Sequence, residues 1–296
     1  MYQIITDGSC DLGVELAEKL GVEVVPFYVT MNGTDYQKEI KEIGIREFYD
    51  FMVQNPSIFP KSSLPSVNDY IEIFTKYAKQ DIPMICICIT TKFSGSYNSA
   101  ANARDIVLED FPNAKIAVID SMINTVLQGT MVIELAKSQQ RGATYEELLT
   151  KIERIKTTGR IFFTVDNLSY LAKGGRLGKL ADIATGTLSI KPLIVLKKGE
   201  IFPSGITRGR EKAKKKIYDQ TIKYIEENGD NPEEFAINAG YGYDREEGVE
   251  FQQNFIQLLQ AKWPDKKIEV GILQIGATIS VHTGPHPLGF GIIKKD

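Results

Sequence analysis

The chain has 296 residues, 43% of them hydrophobic and 25% charged, an ordinary globular composition that excludes disorder, collagen-like repeats and low complexity. A net charge of −3 leaves no basic footprint for nucleic acid, and no apolar run approaches the roughly 18 residues of a membrane span. The opening MYQIITDGSCD lacks the basic and apolar regions of a secretory leader, and three cysteines cannot all pair, so a reducing, cytoplasmic setting is expected.

The predicted elements begin with a buried strand over 2–6 (YQIIT), after which Gly8, Ser9 and Asp11 open a helix ending near Gly21. Residues 22–30 (VEVVPFYVT) read as a second strand, and Asn32-Gly33 as a hairpin turn. Helical spacing covers 45–54 and 66–80, the latter capped by Ser66 with Asp69 beside it. PMICICIT (83–90) is apolar throughout, as a strand covered by helices on both sheet faces must be. Cys86 and Cys88 point to one face of it and suit core packing; a metal site would need further soft ligands. A helix follows from Ser96, then a strand over 115–120 and helices near 123–140 and 144–157. This alternation predicts an α/β fold with a mostly parallel sheet wound with helices.

KTTGR (156–160) reads as a crossover between an N-terminal α/β domain over 1–158 and a second α/β domain over 159–296; one continuous fold is the alternative. The second half offers a strand over 161–165, a helix over 167–173, a glycine-rich bend and two strands within 192–207 around Lys198-Gly199. A helix over 209–227, a strand over 235–241, a helix over 245–261, a strand over 267–275 and a last strand near 289–293 complete it. Six cations (Arg208, Arg210, Lys212, Lys214, Lys215 and Lys216) spread around the first of those helices. They read as a solvated surface, or else as a docking face for an acidic partner.

Four segments interrupt the apolar pattern where open α/β sheets bind ligands, beyond the carboxyl ends of strands. KSSLPS (61–66) offers the hydroxyls of Ser62 and Ser63, although both could simply cap the helix that follows. TTKFSGSYNSA (90–100) delivers Thr90 and Thr91 from a strand and leads through Ser94-Gly95-Ser96 into a helix, whose free N–H groups attract an anion. Ser94 adds a hydroxyl and Gly95 permits close approach to the backbone; an N-cap serine with a turn glycine is the plainer reading. The spacing of a phosphate loop is absent. YLAKGGRLGK (170–179) aims Arg176, a fork-shaped cation suited to carboxylate or phosphate, from a bend in which Gly174 would form a left-handed helix cap. VHTGPHPLG (281–289) holds both histidines, and the glycine and proline between them exclude a helical zinc motif. His282 is then either a hydrogen-bonded loop histidine or an imidazole that serves a carboxylate.

Taken in order, TDGSCDL (6–12), KSSLPS, TTKFSGSYNSA, VIDS (118–121), LSYLAKGGRLG (168–178), LSIKPL (188–193) and VHTGPHPLG resemble the motifs of the DegV family of bacterial fatty-acid-binding proteins. The likeness covers almost the whole chain. It departs at Gly8, where serine is usual, at Ser62, where threonine is usual, and at His286-Pro287, where His286 could alter the ligand mouth. The resemblance implies a two-domain fold holding one long-chain fatty acid, with the acyl chain buried in one domain and the carboxylate at the domain junction. It assigns the carboxylate to Ser62 and Ser94 with His282 beside it, leaves Ser63, Thr91 and Gly95 as weaker candidates, and associates His282 and Arg176 with phosphorylation of the acid. It further implies the binding subunit of a bacterial fatty acid kinase, not itself an enzyme and needing neither cofactor nor metal. A separate ATP-binding kinase subunit would phosphorylate the carboxylate, and the acyl phosphate would feed phospholipid synthesis. No transmembrane segment is expected, only transient contact with a membrane surface.

The chemistry agrees with this expectation. A buried methylene is worth about 0.8 kcal/mol, so tight holding needs a long apolar tunnel, and phosphoryl transfer needs positioned hydroxyls and cations. Two rivals use the same residues. One is a serine hydrolase acting on lipid esters through Ser94 and His282, although G-x-S-x-G is absent and no triad acid is indicated. The other is a small-molecule-binding regulatory domain built on the same anion cradle.

Overall fold

A computed structural model describes residues 2–181 and 190–295; Leu188 and Ser189 of the LSIKPL motif lie outside the described residues. In chain order the first half comprises β1 (Gln3–Asp7), α1 (Gly13–Leu20), β2 (Glu23–Val25), β3 (Tyr28–Thr30), β4 (Gln37–Lys38), α2 (Ile45–Gln54), β5 (Lys61–Ser63) and α3 (Val67–Ala78). There follow β6 (Met84–Cys88), α4 (Ser96–Asp110), β7 (Ile116–Asp120), α5 (Thr125–Gln140) and α6 (Tyr145–Ile155). The rest is β8 (Arg160–Thr164), α7 (Ser169–Lys173), β9 (Ile190–Lys197), β10 (Glu200–Arg208), α8 (Arg210–Glu227), β11 (Phe235–Tyr241), α9 (Arg245–Lys262), β12 (Gly271–Gln274), α10 (Ala277–Thr283) and β13 (Leu288–Lys294).

The fold is α/β. Strands β2-β1-β6-β7 form a wholly parallel sheet, as the apolar run of β6 demands. Ile85 and Ile87 enter one core, while Cys86 and Cys88, both free thiols, enter another with Tyr70 and Phe74. Helix α1 carries the chain from β1 outward to β2, and α4 carries it from β6 the other way to β7. The winding therefore reverses between β1 and β6, which opens a crevice at their carboxyl ends.

A second sheet, β10-β9-β8-β13-β11-β12, is antiparallel except for β11 and β12. Lys198 and Gly199 both have positive φ (52° and 82°), which closes the expected hairpin. A third, small sheet, β4-β3-β5, was not anticipated. Pro26 interrupts the 22–30 run, so β2 and β3 belong to different sheets instead of forming one strand. Ser62 and Ser63 consequently sit on a strand paired with β3, not in a helix-entry loop.

Helix α5 lies between the two main sheets, and its Leu127, Met131 and Leu135 share one core with Ile85 of β6 and Ile161, Ile194 and Ile293 of the second sheet. Close approach is possible because β13 presents Gly291 beneath it; a Cβ there would lie 2.9 Å from the Leu127 backbone. Of the six cations in the basic stretch, Lys214 is buried and Arg210 half-buried. Together they grip Glu247 and, outweighing the burial that alone would raise its carboxyl, hold it at about 2. Arg208, Lys212, Lys215 and Lys216 remain exposed.

Replacing Gly291 by alanine should force α5 off the sheet and lower stability by about 1–3 kcal/mol in urea unfolding. Glu18→Ala on the exposed face of α1 should change it by no more than about 0.5 kcal/mol.

Candidate functional site

The crevice is organised by Asp7, which ends β1 and is completely buried. Its Oδ2 accepts from the Ile89 N–H (2.9 Å) and the Ser96 hydroxyl (2.7 Å). Its Oδ1 accepts from the Ser9 hydroxyl (2.6 Å) and the Gln128 amide (2.9 Å). Burial raises the carboxyl above the usual range, and these four donors oppose that shift. The result fixes the start of α4, where the Tyr70 hydroxyl also meets Ser96 (2.7 Å). Ser94 stands two residues earlier, its Oγ accepting from the Ser96 N–H at 3.2 Å.

A cavity of about 210 Å³ opens at this point, lined by Ser62, Ser63, Ser94, Arg176 and His282 together with apolar Phe27, Ile89, Phe93 and Leu171. A narrower hollow shares Asn124, Phe163, Ile201, Ile279 and Thr283 with it and continues between α5 and the second sheet. Val126, Leu196, Ile275 and Leu288 make that inner part almost wholly apolar. A polar mouth thus leads into an oily passage.

His282 was expected in a loop; it occupies the last turn of α10, which Gly284 (φ 78°) terminates. The segment 277–283 is too short, and too rich in β-branched residues, to announce itself as a helix. Its Nε2 lies 3.3 Å from Ser62 Oγ. Its Nδ1 packs on Gly174, where a Cβ would overlap it, and has no hydrogen-bond partner among the described residues. The tautomer with the proton on Nε2 strands no buried donor, and it leaves the Ser62 hydroxyl free to donate elsewhere. Burial, followed by the charge of Arg176, lowers the imidazole to about 4, so it is neutral near pH 7. Gly174 therefore serves as space, not as a left-handed cap: its φ is −78°, and Gly175 (φ 69°) makes the left-handed turn.

Arg176 bridges two loops, with Nε and Nη2 on the Phe93 carbonyl (3.2 and 2.9 Å) and Nη1 on that of Gly174 (2.6 Å). These bonds hold the guanidinium at the mouth beside Ser94 and His282. The weaker candidates fare differently. Ser63 lines the cavity, whereas Thr91 is exposed and donates to Asp120 at 2.6 Å. Gly95 is the N-cap residue of α4, and a Cβ there would meet Leu64 at 3.3 Å. The His286 ring stands perpendicular to that of Tyr243, and His286 does not line the cavity. Sequence reading missed Asp7, although an acid ending a buried strand was a usable signal; Gln128, Asn124 and Thr278 gave none.

The family model described as "Uncharacterised protein, DegV family" matches residues 1–295. A DegV domain-containing protein of Clostridium perfringens is 32% identical over 227 residues, 77% of this chain and 79% of its own length. Among solved structures, a stearic-acid-binding protein from Eubacterium ventriosum superposes with a TM-score of 0.93 at 42% identity, covering 100% of this chain and 99% of that one. A fatty-acid-binding DegV family protein from Thermus thermophilus gives 0.84 at 26% identity over 99% of both chains. The chain belongs to the DegV family.

Proposed function

We propose that this protein carries one long-chain fatty acid and presents its carboxylate to a separate ATP-binding kinase subunit. The observation that carries this reading is the joining of a hydroxyl, imidazole and guanidinium cluster to an apolar passage. The tail enters the passage, where each buried methylene contributes about 0.8 kcal/mol. The Ser62 and Ser94 hydroxyls then donate to the carboxylate at the mouth, with the His282 ring beside them and Ser63 in a lesser role. The N-terminal unit, residues 1–158, supplies the serines, and residues 159–296 supply Arg176 and His282, so the carboxylate lies where the two units meet.

Phosphorylation follows from that placement. A carboxylate oxygen attacks the γ-phosphorus of the partner's ATP, the bond to ADP breaks, and an acyl phosphate forms for phospholipid synthesis. No proton need be removed from the nucleophile, so a neutral imidazole fits the step. Arg176 offers positive charge where the phosphoryl group arrives. The setting is cytoplasmic, with transient membrane contact for lipid exchange; among the described residues no helix is long and apolar enough to cross a membrane.

The hydrolase alternative finds less support. Ser94 is bonded to its own helix start and not to His282. Ser62 does face His282, but an imidazole lowered to about 4 is a poor general base, and Nδ1 abuts Gly174 where an orienting acid would be needed.

Mass analysis of an organic extract from natively purified protein should find about one long-chain fatty acid per chain; an empty protein that also refuses added stearate would sink the carrier reading. Ser62→Ala and Ser94→Ala should each weaken stearate binding by about 1–2 kcal/mol, roughly 5–30-fold. Arg176→Ala and His282→Gln should retain most binding yet lower phosphorylation by about tenfold or more when a kinase subunit and ATP are supplied, and equal losses in both would contradict the assigned roles. Titrated by NMR, the His282 ring should show a midpoint near 4, below the ordinary 6.5, and Arg176→Ala should raise it. Because the unfolded imidazole takes up its proton first, stability from this site should fall as pH drops from about 6.5 towards about 4.

A further inference from the structure

Helix α10 brings Thr278, Ile279, His282 and Thr283 to the cavity, yet its N-cap residue is Gly276, which provides no side-chain cap. Its first amides are satisfied from far away in the chain. Asp11 Oδ1 accepts from the Gly276 N–H at 2.8 Å, and Glu39 Oε2 accepts from the Thr278 N–H at 3.0 Å. The second oxygen of each carboxylate is also held: the Thr125 hydroxyl donates to Asp11, and the Phe27 N–H donates to Glu39 at 3.4 Å. Both side chains are buried, and both come from the half of the chain that also supplies Ser62 and Ser94.

We infer that Asp11 and Glu39 are positioning residues, which lock the N-terminus of α10 and thereby hold His282 against Ser62. Burial pushes the Asp11 carboxyl up to about 8 and that of Glu39 up to about 7, so these contacts act as hydrogen bonds to the orphan donors of the helix and not through full negative charge. One turn further on, His282 inherits that fixed position, and the Tyr49 hydroxyl adds a third tie to the Ile275 carbonyl at 2.9 Å. Gly8 fits this arrangement, because a Cβ at that position would overlap Glu39 Oε1. The missing side chain admits the carboxylate, so Gly8 and Glu39 act as a matched pair in this protein.

The role assigned to His282 rests on the carrier reading, but the positions of the groups can be tested without ligand. In the full chain with ¹⁵N-labelled histidine, Asp11→Ala and Glu39→Ala should shift the His282 ring resonances and lower phosphorylation about tenfold when a kinase subunit and ATP are supplied, while most stearate binding is retained and the far-UV circular dichroism is unchanged. Gly8→Ser should reproduce the effect, and Gly8→Ser/Glu39→Ala should be no worse than either single change, because both act on one contact. Should the variants fail to fold, hydrogen exchange of the wild type decides: the Gly276 and Thr278 amides must be strongly protected in the ligand-free protein. Unmoved His282 resonances in folded variants, or fast exchange at those two amides, overturn the inference. Failure of the wild type to bind stearate would instead count against the carrier reading and leave these ligand-free results standing.

Discussion

A single buried carboxylate, that of Asp7, holds the crevice together. An acid without solvent is costly unless every lone pair is used, and here four donors from four separate segments converge on it. Because Ile89 follows β6, Ser96 starts α4 and Gln128 lies within α5, satisfying Asp7 forces those elements into one arrangement. The position of Ser94 is a consequence of this network, and so is the approach of α5 to the carboxyl ends of β1 and β6.

The same logic recurs one layer out. Asp11 and Glu39 bind the start of α10, Arg176 ties the loop after β6 to the bend after α7, and His282 fills the space left by Gly174. Polar groups are spent on fixing the mouth, while the passage behind it is left to Val126, Leu196, Ile201 and Leu288. That division suits a ligand with one charged end and a long featureless remainder. On the proposed reading, affinity would scale with tail length, and the few hydroxyls at the entrance would set the orientation.

Much of the local structure was readable along the chain. Ser66 with Asp69 makes the expected capping box, 45–54 is helical to the residue, and Lys198-Gly199 turns the hairpin, because each rests on contacts within a few residues. The run 22–30 misled since a continuous apolar pattern does not show that Pro26 divides it between two sheets. His282 misled for a related reason: α10 is capped by residues more than 230 positions away, so no local signal marks it as helical. Thr91 belongs to the right loop but faces Asp120, an outcome set by side-chain direction and not by proximity in sequence.

By itself the sequence determined the alternation of helices and strands, the parallel character of the first sheet and the identity of the polar segments, because propensity, periodicity and turn chemistry act over short distances. Only the tertiary structure decided that Ser62 and Ser94 share a cavity with Arg176 and His282, that the imidazole is kept neutral, and that an apolar passage runs on behind them. Those properties depend on burial and on distances between residues far apart in the chain. They come into being when the two sheets close on α5.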